Sequence, residues 1–200
     1  MQHREYSAGA VKLSFWFAEF RKVVTLLQSG KDMDEIKAFA ESDNIFSAAT
    51  PLRSKQIFST VSARVSALPN KFYNFFEQSD IDTQRLIVLI SIMNTDTLFF
   101  DFMNEVYREK LFTGDTTLTD MDLRVFFHNK QRESEKVAIW TDETITRLQK
   151  SYKAWLSEAG LLDHSIGDRK IIRPLVDSNI EAMLTNNNMK LILKVLTGAR

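Results

Sequence analysis

Ten consecutive residues without a charge, 86–95, lie between Arg85 and Asp96, and this run constrains the fold more than any other stretch of the chain. It is about half of the roughly 20 apolar residues that a helix needs to span a bilayer, so it reads as a buried helix. Leu86, Ile87, Leu89 and Ile90 would point to nearly every side of that helix. Such a helix has no face to give to water and belongs at the centre of a bundle. Asp80 stands ahead of it as a capping carboxylate.

The rest of the chain supplies the surrounding helices. Only six glycines and three prolines interrupt 200 residues, and apolar residues recur at spacings of three and four. A first helix is predicted from Val11, through Leu13, Phe17, Phe20, Val24 and Leu27, and Gly30 closes it. Met33, Ile36, Phe39 and Ala40 mark a short amphipathic one. Thr50-Pro51 combines a capping hydroxyl with proline at the first helical position. The helix it opens carries Ile57, Val61 and Val65, with Arg53, Lys55 and Arg64 on its wetter sides, and Pro69 ends it. Phe72, Phe75 and Phe76 mark a short helix. Leu98, Phe99, Phe102, Val106 and Leu111 mark another, stopped near Thr113-Gly114. About six helices and no convincing strand make residues 1–115 a helical bundle, with fifteen phenylalanines in the chain to fill a core.

The character changes after Gly114, and residues 116–200 form the second region. Thr119 is placed to cap a helix holding Met121, Leu123, Val125, Phe126 and Phe127. A polar connection, 128–136, leads to Val137, Ala138, Ile139 and Trp140. Thr141 caps the next helix, whose first turn holds Asp142 and Glu143 where the helix dipole favours them, and Gly160 ends it. Leu161-Leu162 and Ile171-Ile172 flank a turn at residues 165–168, with Pro174 at a strand end, which reads as a β-hairpin. Two short helices follow, around 180–184 and 191–196. The predicted fold is therefore mainly α: an N-terminal helical bundle, then a winged helix-turn-helix-like segment with one small β-hairpin.

Helix, connection, helix and hairpin is the order in which a winged helix-turn-helix meets DNA, its second helix entering the major groove. At about 100° per residue, Ile145, Leu148, Tyr152, Leu156 and Ala159 fall on the core side of the second helix. Thr146, Arg147, Lys150 and Ala154 fall opposite, with Lys153 at the margin. Every charge from 144 to 157 is positive, and the hairpin adds Arg169, Lys170 and Arg173. Such side chains neutralise phosphates, and arginine also reads guanine edges. Asp142, Glu143, Glu158, Asp163 and Asp168 oppose this field. The other reading of the same face is a solvated surface. Because 26 basic residues balance 26 acidic ones, a nucleic-acid coat over the whole chain is excluded and only a local patch can serve.

Other chemistry finds little support. Without cysteine there are no disulfides, thiolate nucleophiles or cysteine zinc sites, and the chain reads as cytoplasmic. The N-terminus, with His3, Arg4 and Glu5, lacks the apolar core of a signal peptide. His3, His128 and His164 are far apart, so no metal site is expected. No glycine-rich phosphate loop occurs, and no cofactor or small-molecule substrate is expected. Asp96, Asp101 and Glu105 can share one helix flank, but there they serve better as partners for Arg108 and Lys110 than as an acid–base pair. The run Tyr107 to Lys110 reads either as a buried tyrosine beside ion pairs or as a partner or phosphate contact. Trp16, Trp140 and Trp155 read as core anchors.

Tyr6-Ser7-Ala8-Gly9, residues 104–111 (Asn-Glu-Val-Tyr-Arg-Glu-Lys-Leu), Leu118-Thr119-Asp120, residues 158–162 (Glu-Ala-Gly-Leu-Leu) and Ile172-Arg173-Pro174-Leu175 together give the chain a family likeness over roughly residues 6–185. In this combination and order it resembles BrxA, the small protein of the BREX bacteriophage-exclusion systems. The resemblance implies a non-enzymatic, mainly helical, double-stranded-DNA-binding component of a defence island, with a bundle similar to the NusB-type antitermination fold. It implies other BREX proteins as partners, among them a methyltransferase, an ATPase and a phosphatase-like protein. No binding residues follow from it; the basic positions come from the helix-face argument alone. Zero net charge and high phenylalanine content keep a protein–protein adaptor role open, and RNA binding through Arg53, Lys55 and Arg64 rests on fold analogy only.

Overall fold

The computed structural model describes residues 5–199; the stretch with His3 and Arg4 lies outside the described residues. Five helices come first: α1 (Phe17–Gln28), α2 (Met33–Ser42), α3 (Pro51–Ser66), α4 (Lys71–Gln78) and α5 (Ile81–Thr95). Their starts are set by side chains that satisfy free amides. Asp32 accepts from the Asp34 and Glu35 amides while Glu35 reaches back to the Asp32 amide, a reciprocal cap. Thr50 accepts from the Arg53 amide and Asp80 from the Thr83 amide. The uncharged run behaves as expected: Leu86, Ile87, Val88, Leu89, Ile90, Ile92 and Met93 are all buried, and α5 packs against α1, α3 and α4.

Next, the chain turns through 112° into α6 (Thr97–Phe102), a π-helical turn at Met103–Tyr107, and α7 (Arg108–Thr113). Asp96 caps α6 by accepting from the Phe99 amide. Among the described residues no single helix is long and apolar enough to cross a membrane; the bent pair formed by α5 with this helix passes by length and composition alone.

Three details of the helices differ from the sequence reading. The first helix starts at Phe17, not Val11. Residues Gly9–Lys12 form a 3-10 turn, the chain then runs extended at Leu13, and Trp16 adopts a left-handed backbone with φ 56°. Arg64 explains why: its guanidinium takes up the Ser14 and Phe15 carbonyls, at 3.0 and 2.8 Å, which a continuous helix would need for itself. Arg64 is therefore not on a wet side of α3 but buried, with 2% of its surface exposed. The polar connection predicted at 128–136 is largely helical, because Lys130 is buried and pairs with Glu105 at 2.7 Å and Glu133 at 3.0 Å. Burial opposes that charge, but the two carboxylates outweigh it and hold Lys130 above the ordinary lysine pKa.

The remaining elements are β1 (Thr117–Leu118), α8 (Asp120–Glu133), α9 (Glu135–Ala138), α10 (Asp142–Glu158), β2 (Arg169–Lys170), α11 (Ser178–Asn186) and α12 (Lys190–Thr197). The two strands are antiparallel, Thr117 facing Lys170 and Leu118 facing Arg169. On the other side Leu162 bridges Ile171, and the Ile172 amide bonds the Leu161 carbonyl at 2.9 Å. The predicted hairpin arms thus meet, in a ribbon where residues 169–171 lie between 161–162 and the unanticipated strand at 117–118. One hydrophobic core runs through both halves of the chain. Phe99 stands edge-on to Trp155 with centroids 5.1 Å apart, and Phe102 to Phe126 at 5.4 Å.

Candidate nucleic-acid interface

The Thr141 hydroxyl starts α10 by accepting from the Thr144 amide. Ile145, Leu148, Tyr152, Trp155 and Leu156 bury one face, which leaves Thr146, Arg147, Lys150 and Ala154 exposed opposite, as the spacing requires. The turn after α10 is fastened down over its last turns. Arg169 donates to the Lys153 carbonyl at 3.1 Å and to the Ser157 hydroxyl at 2.6 Å. Asp163 accepts from the Ser165 hydroxyl at 2.7 Å and the Lys170 amide at 3.1 Å, and the Ser165 bond in particular holds its pKa below the usual carboxylate value. Asp168 accepts from the Asp120 amide at 2.9 Å, which ties the turn to the start of α8.

These contacts divide the seven predicted positions. Thr146, Arg147 and Lys150 share the open face of α10. Lys153 borders the same groove, but its ammonium is paired with Asp120 and reaches the Gly167 carbonyl at 3.4 Å, with 12% of the side chain exposed. Arg169 braces the turn from beneath. Lys170 is exposed, and since successive strand residues alternate it projects from the opposite side of the ribbon to Arg169. Arg173 donates to the Leu111 carbonyl at the end of α7, apart from the others.

Two residues the helix-face argument missed join the groove: Arg124 of α8 and Gln149 of α10. Arg124 lies between the buried Leu123 and Phe126, so the same rotation argument applied to α8 places it outward. Acidic groups temper the surface. Asp142 lines the groove, and Glu143 lies 3.9 Å from Arg147, a solvent-exposed pair worth little.

The other polar candidates go separate ways. Asp96 is partly buried, which pushes its pKa up to about 6 against the pull of the Phe99 amide and the charge of Arg64. Asp101 accepts from the Tyr6 hydroxyl at 2.6 Å, and Glu105 pairs with Lys130 rather than with Arg108 or Lys110. Arg108 bonds Asn104 and the Ala199 carbonyl; Lys110 pairs with Asp115 and Asp122 at 2.7 and 2.9 Å. Tyr107 is fully buried, and burial raises its pKa. Trp16 and Trp155 are buried, both with their rings close to Arg64, and Trp140 is half-buried against the core. Arg53 lies over the Trp16 ring at 5.1 Å while Lys55 is exposed. Among the described residues no group of three or more His, Asp or Glu side chains is arranged to hold a metal ion.

Fold and site together define a small, mainly helical protein in which a braced β-turn covers part of one exposed helix face. The same fold is found in the crystal structure of an uncharacterized protein from Magnetospirillum magneticum, where the match covers 98% of this chain and 100% of that one, with a TM-score of 0.81 at 17% identity. At that identity the likeness concerns the fold alone. The sequence goes further. Residues 4–188 match the BrxA family model, and the BREX protein BrxA of Bacillus cereus (strain H3081.97) is 42% identical over 182 residues, 91% of each chain. The chain belongs to the BrxA family of the BREX bacteriophage-exclusion systems.

Proposed function

We propose that this chain is a DNA-binding accessory component of a BREX phage-defence system, with residues 117–172 acting as a winged helix-turn-helix. The observation that carries the reading is the strand order. A strand (β1) precedes a helix pair (α8, α10), and a return arm and β2 follow, with residues 169–171 between the other two segments. In this arrangement α10 is the recognition helix, the face it leaves uncovered is that of Thr146, Arg147 and Lys150, and the turn at 163–168 is the wing. The N-terminal bundle, residues 1–115, is a NusB-like platform for other BREX proteins; residues 116–200 read the duplex. The role is non-enzymatic, without cofactor, and belongs in the cytoplasm.

The exposed cations near the groove and wing are Arg124, Arg147, Lys150 and Lys170. Four phosphate contacts give an expected slope of log affinity against log salt of about −3.6. Fluorescence anisotropy of a labelled duplex across salt concentrations measures it. The double substitution Arg147→Glu with Lys150→Glu is expected to abolish binding without changing helical content; unchanged affinity would reject this face.

A second reading is an adaptor without nucleic-acid contact. The observation that favours it is the groove between α8 and the π-helical turn, where Met121 and Val125 are exposed (57% and 46%) beside Val106 and Phe126. No duplex binding at low salt decides for it.

A further inference from the structure

Ile166 stands at the tip of the wing with its whole side chain in water, 101% exposed. A lone exposed aliphatic residue is unremarkable on a loose loop. This one is on a turn that is anything but loose. Asp163 binds Ser165 and Lys170, Asp168 holds the amide that opens α8, and Lys153 of α10 reaches the Gly167 carbonyl next to the tip. Gly167 takes φ 79°, a left-handed backbone that lets the turn reverse there. Framework bonds on both sides of the tip thus hold an apolar side chain out, on a turn tied to Asp120 and Lys153, which line the groove that carries Thr146 and Lys150.

Lys153 and Arg169, the two cations that brace the wing, are spent on Asp120 and Ser157. Asp142 and Glu143 lie on the same surface as Arg147 and Lys150. A duplex held by so few free cations gains from a contact that charge does not supply.

We infer that Ile166 is a DNA wedge: when α10 occupies the major groove, the wing tip enters the adjoining minor groove and its side chain slides between two base pairs, partly unstacking one step. Apolar wedges of this kind kink the duplex, and they exploit steps that unstack easily, TA and CA/TG first. This inference rests on the DNA-binding reading above and adds to it a contact, a groove and a class of preferred step.

The test uses the full chain and short duplexes rich in TA steps, each with one adenine replaced by 2-aminopurine, whose fluorescence rises on unstacking. Binding is expected to raise the emission at one or a few positions. Ile166→Ala is expected to weaken binding by about tenfold or more and to abolish the rise, with circular dichroism unchanged; Ile166→Leu is expected to retain most of both. Full affinity and an undiminished rise with Ile166→Ala overturn the wedge. So does wild-type binding without a rise at any position. If the Arg147, Lys150 double variant loses binding while Ile166→Ala does not, the wedge alone fails. If the wild-type chain binds no duplex at all, the DNA-binding reading fails and the wedge goes with it.

Discussion

The guanidinium of Arg64 lies 5.5 Å from the ring centre of Trp155, so that a buried cation of α3 is stacked on an indole of α10. The Trp16 ring centre lies 5.6 Å from it as well, and the Ser14 and Phe15 carbonyls take its hydrogen bonds. Cation–π stacking and charge-assisted bonds together offset the cost of burying the charge. Burial nonetheless lowers the guanidinium pKa to about 10.

Arg64→Ala removes the donor for two carbonyls and opens a gap beside two indoles. It is expected to lower the unfolding free energy by roughly 3 kcal/mol or more, read from urea denaturation. Arg64→Lys is expected to recover little, because an ammonium has no plane to stack and no fork to share between two carbonyls. A loss below about 1 kcal/mol for the alanine variant contradicts this account.

Asp96 gives a pH dependence of defined sign. Its pKa is pushed up to about 6, chiefly by burial. The folded chain therefore keeps this proton to higher pH than the unfolded one. The contribution to stability is complete below about pH 4 and is lost as the pH rises through about 6, amounting to at most about 3 kcal/mol. Asp96→Asn preserves a cap for α6 without the charge. Its stability is expected to match or exceed that of the parent at pH 7 to 8 and to lack this fall between pH 4 and 6. Parallel stability profiles for the two proteins, measured by denaturation across that range, exclude the assignment.

The turn at 163–168 is expected to loosen without unfolding the protein when Arg169 is cut back. Arg169→Ala removes the bonds to the Ser157 hydroxyl and the Lys153 carbonyl, and about 1–2 kcal/mol of local stability goes with them. Hydrogen exchange is the measurement, since local opening is read there directly. Protection of the amides of Lys170 and Ile171, which bond Asp163 and the Thr116 carbonyl, is expected to fall while that of α5 stays unchanged. Equal loss of protection in α5 contradicts a purely local brace.

Helix existence and order were legible because period and caps agree. Thr50-Pro51, Asp80, Thr119 and Thr141 each begin a helix where the local chemistry says one should. The open face of α10 was legible for the same reason. The misplaced features all turn on long-range pairing. Arg64 and Lys130 look like surface cations in any local window and are buried only because Ser14, Phe15 and Glu105 meet them from distant elements. Val11 to Trp16 has the spacing of a helix, but its carbonyls are claimed by Arg64. The strand at 117–118 is too short to show a period. The fates of Lys153 and Arg169 depended on where the turn at 163–168 folds, which the rotation of α10 alone does not reveal.

The core that joins Phe99 and Phe102 to Phe126, Tyr152 and Trp155 runs without interruption from the N-terminal helices to α10. Packing of this kind resists hinge motion, because a close-packed core transmits strain rather than yielding to it. A duplex gripped by α10 would therefore also fix the compass heading of the bundle, and any protein docked on that bundle would be delivered to the DNA at one angle and one distance, as parts are by a jig.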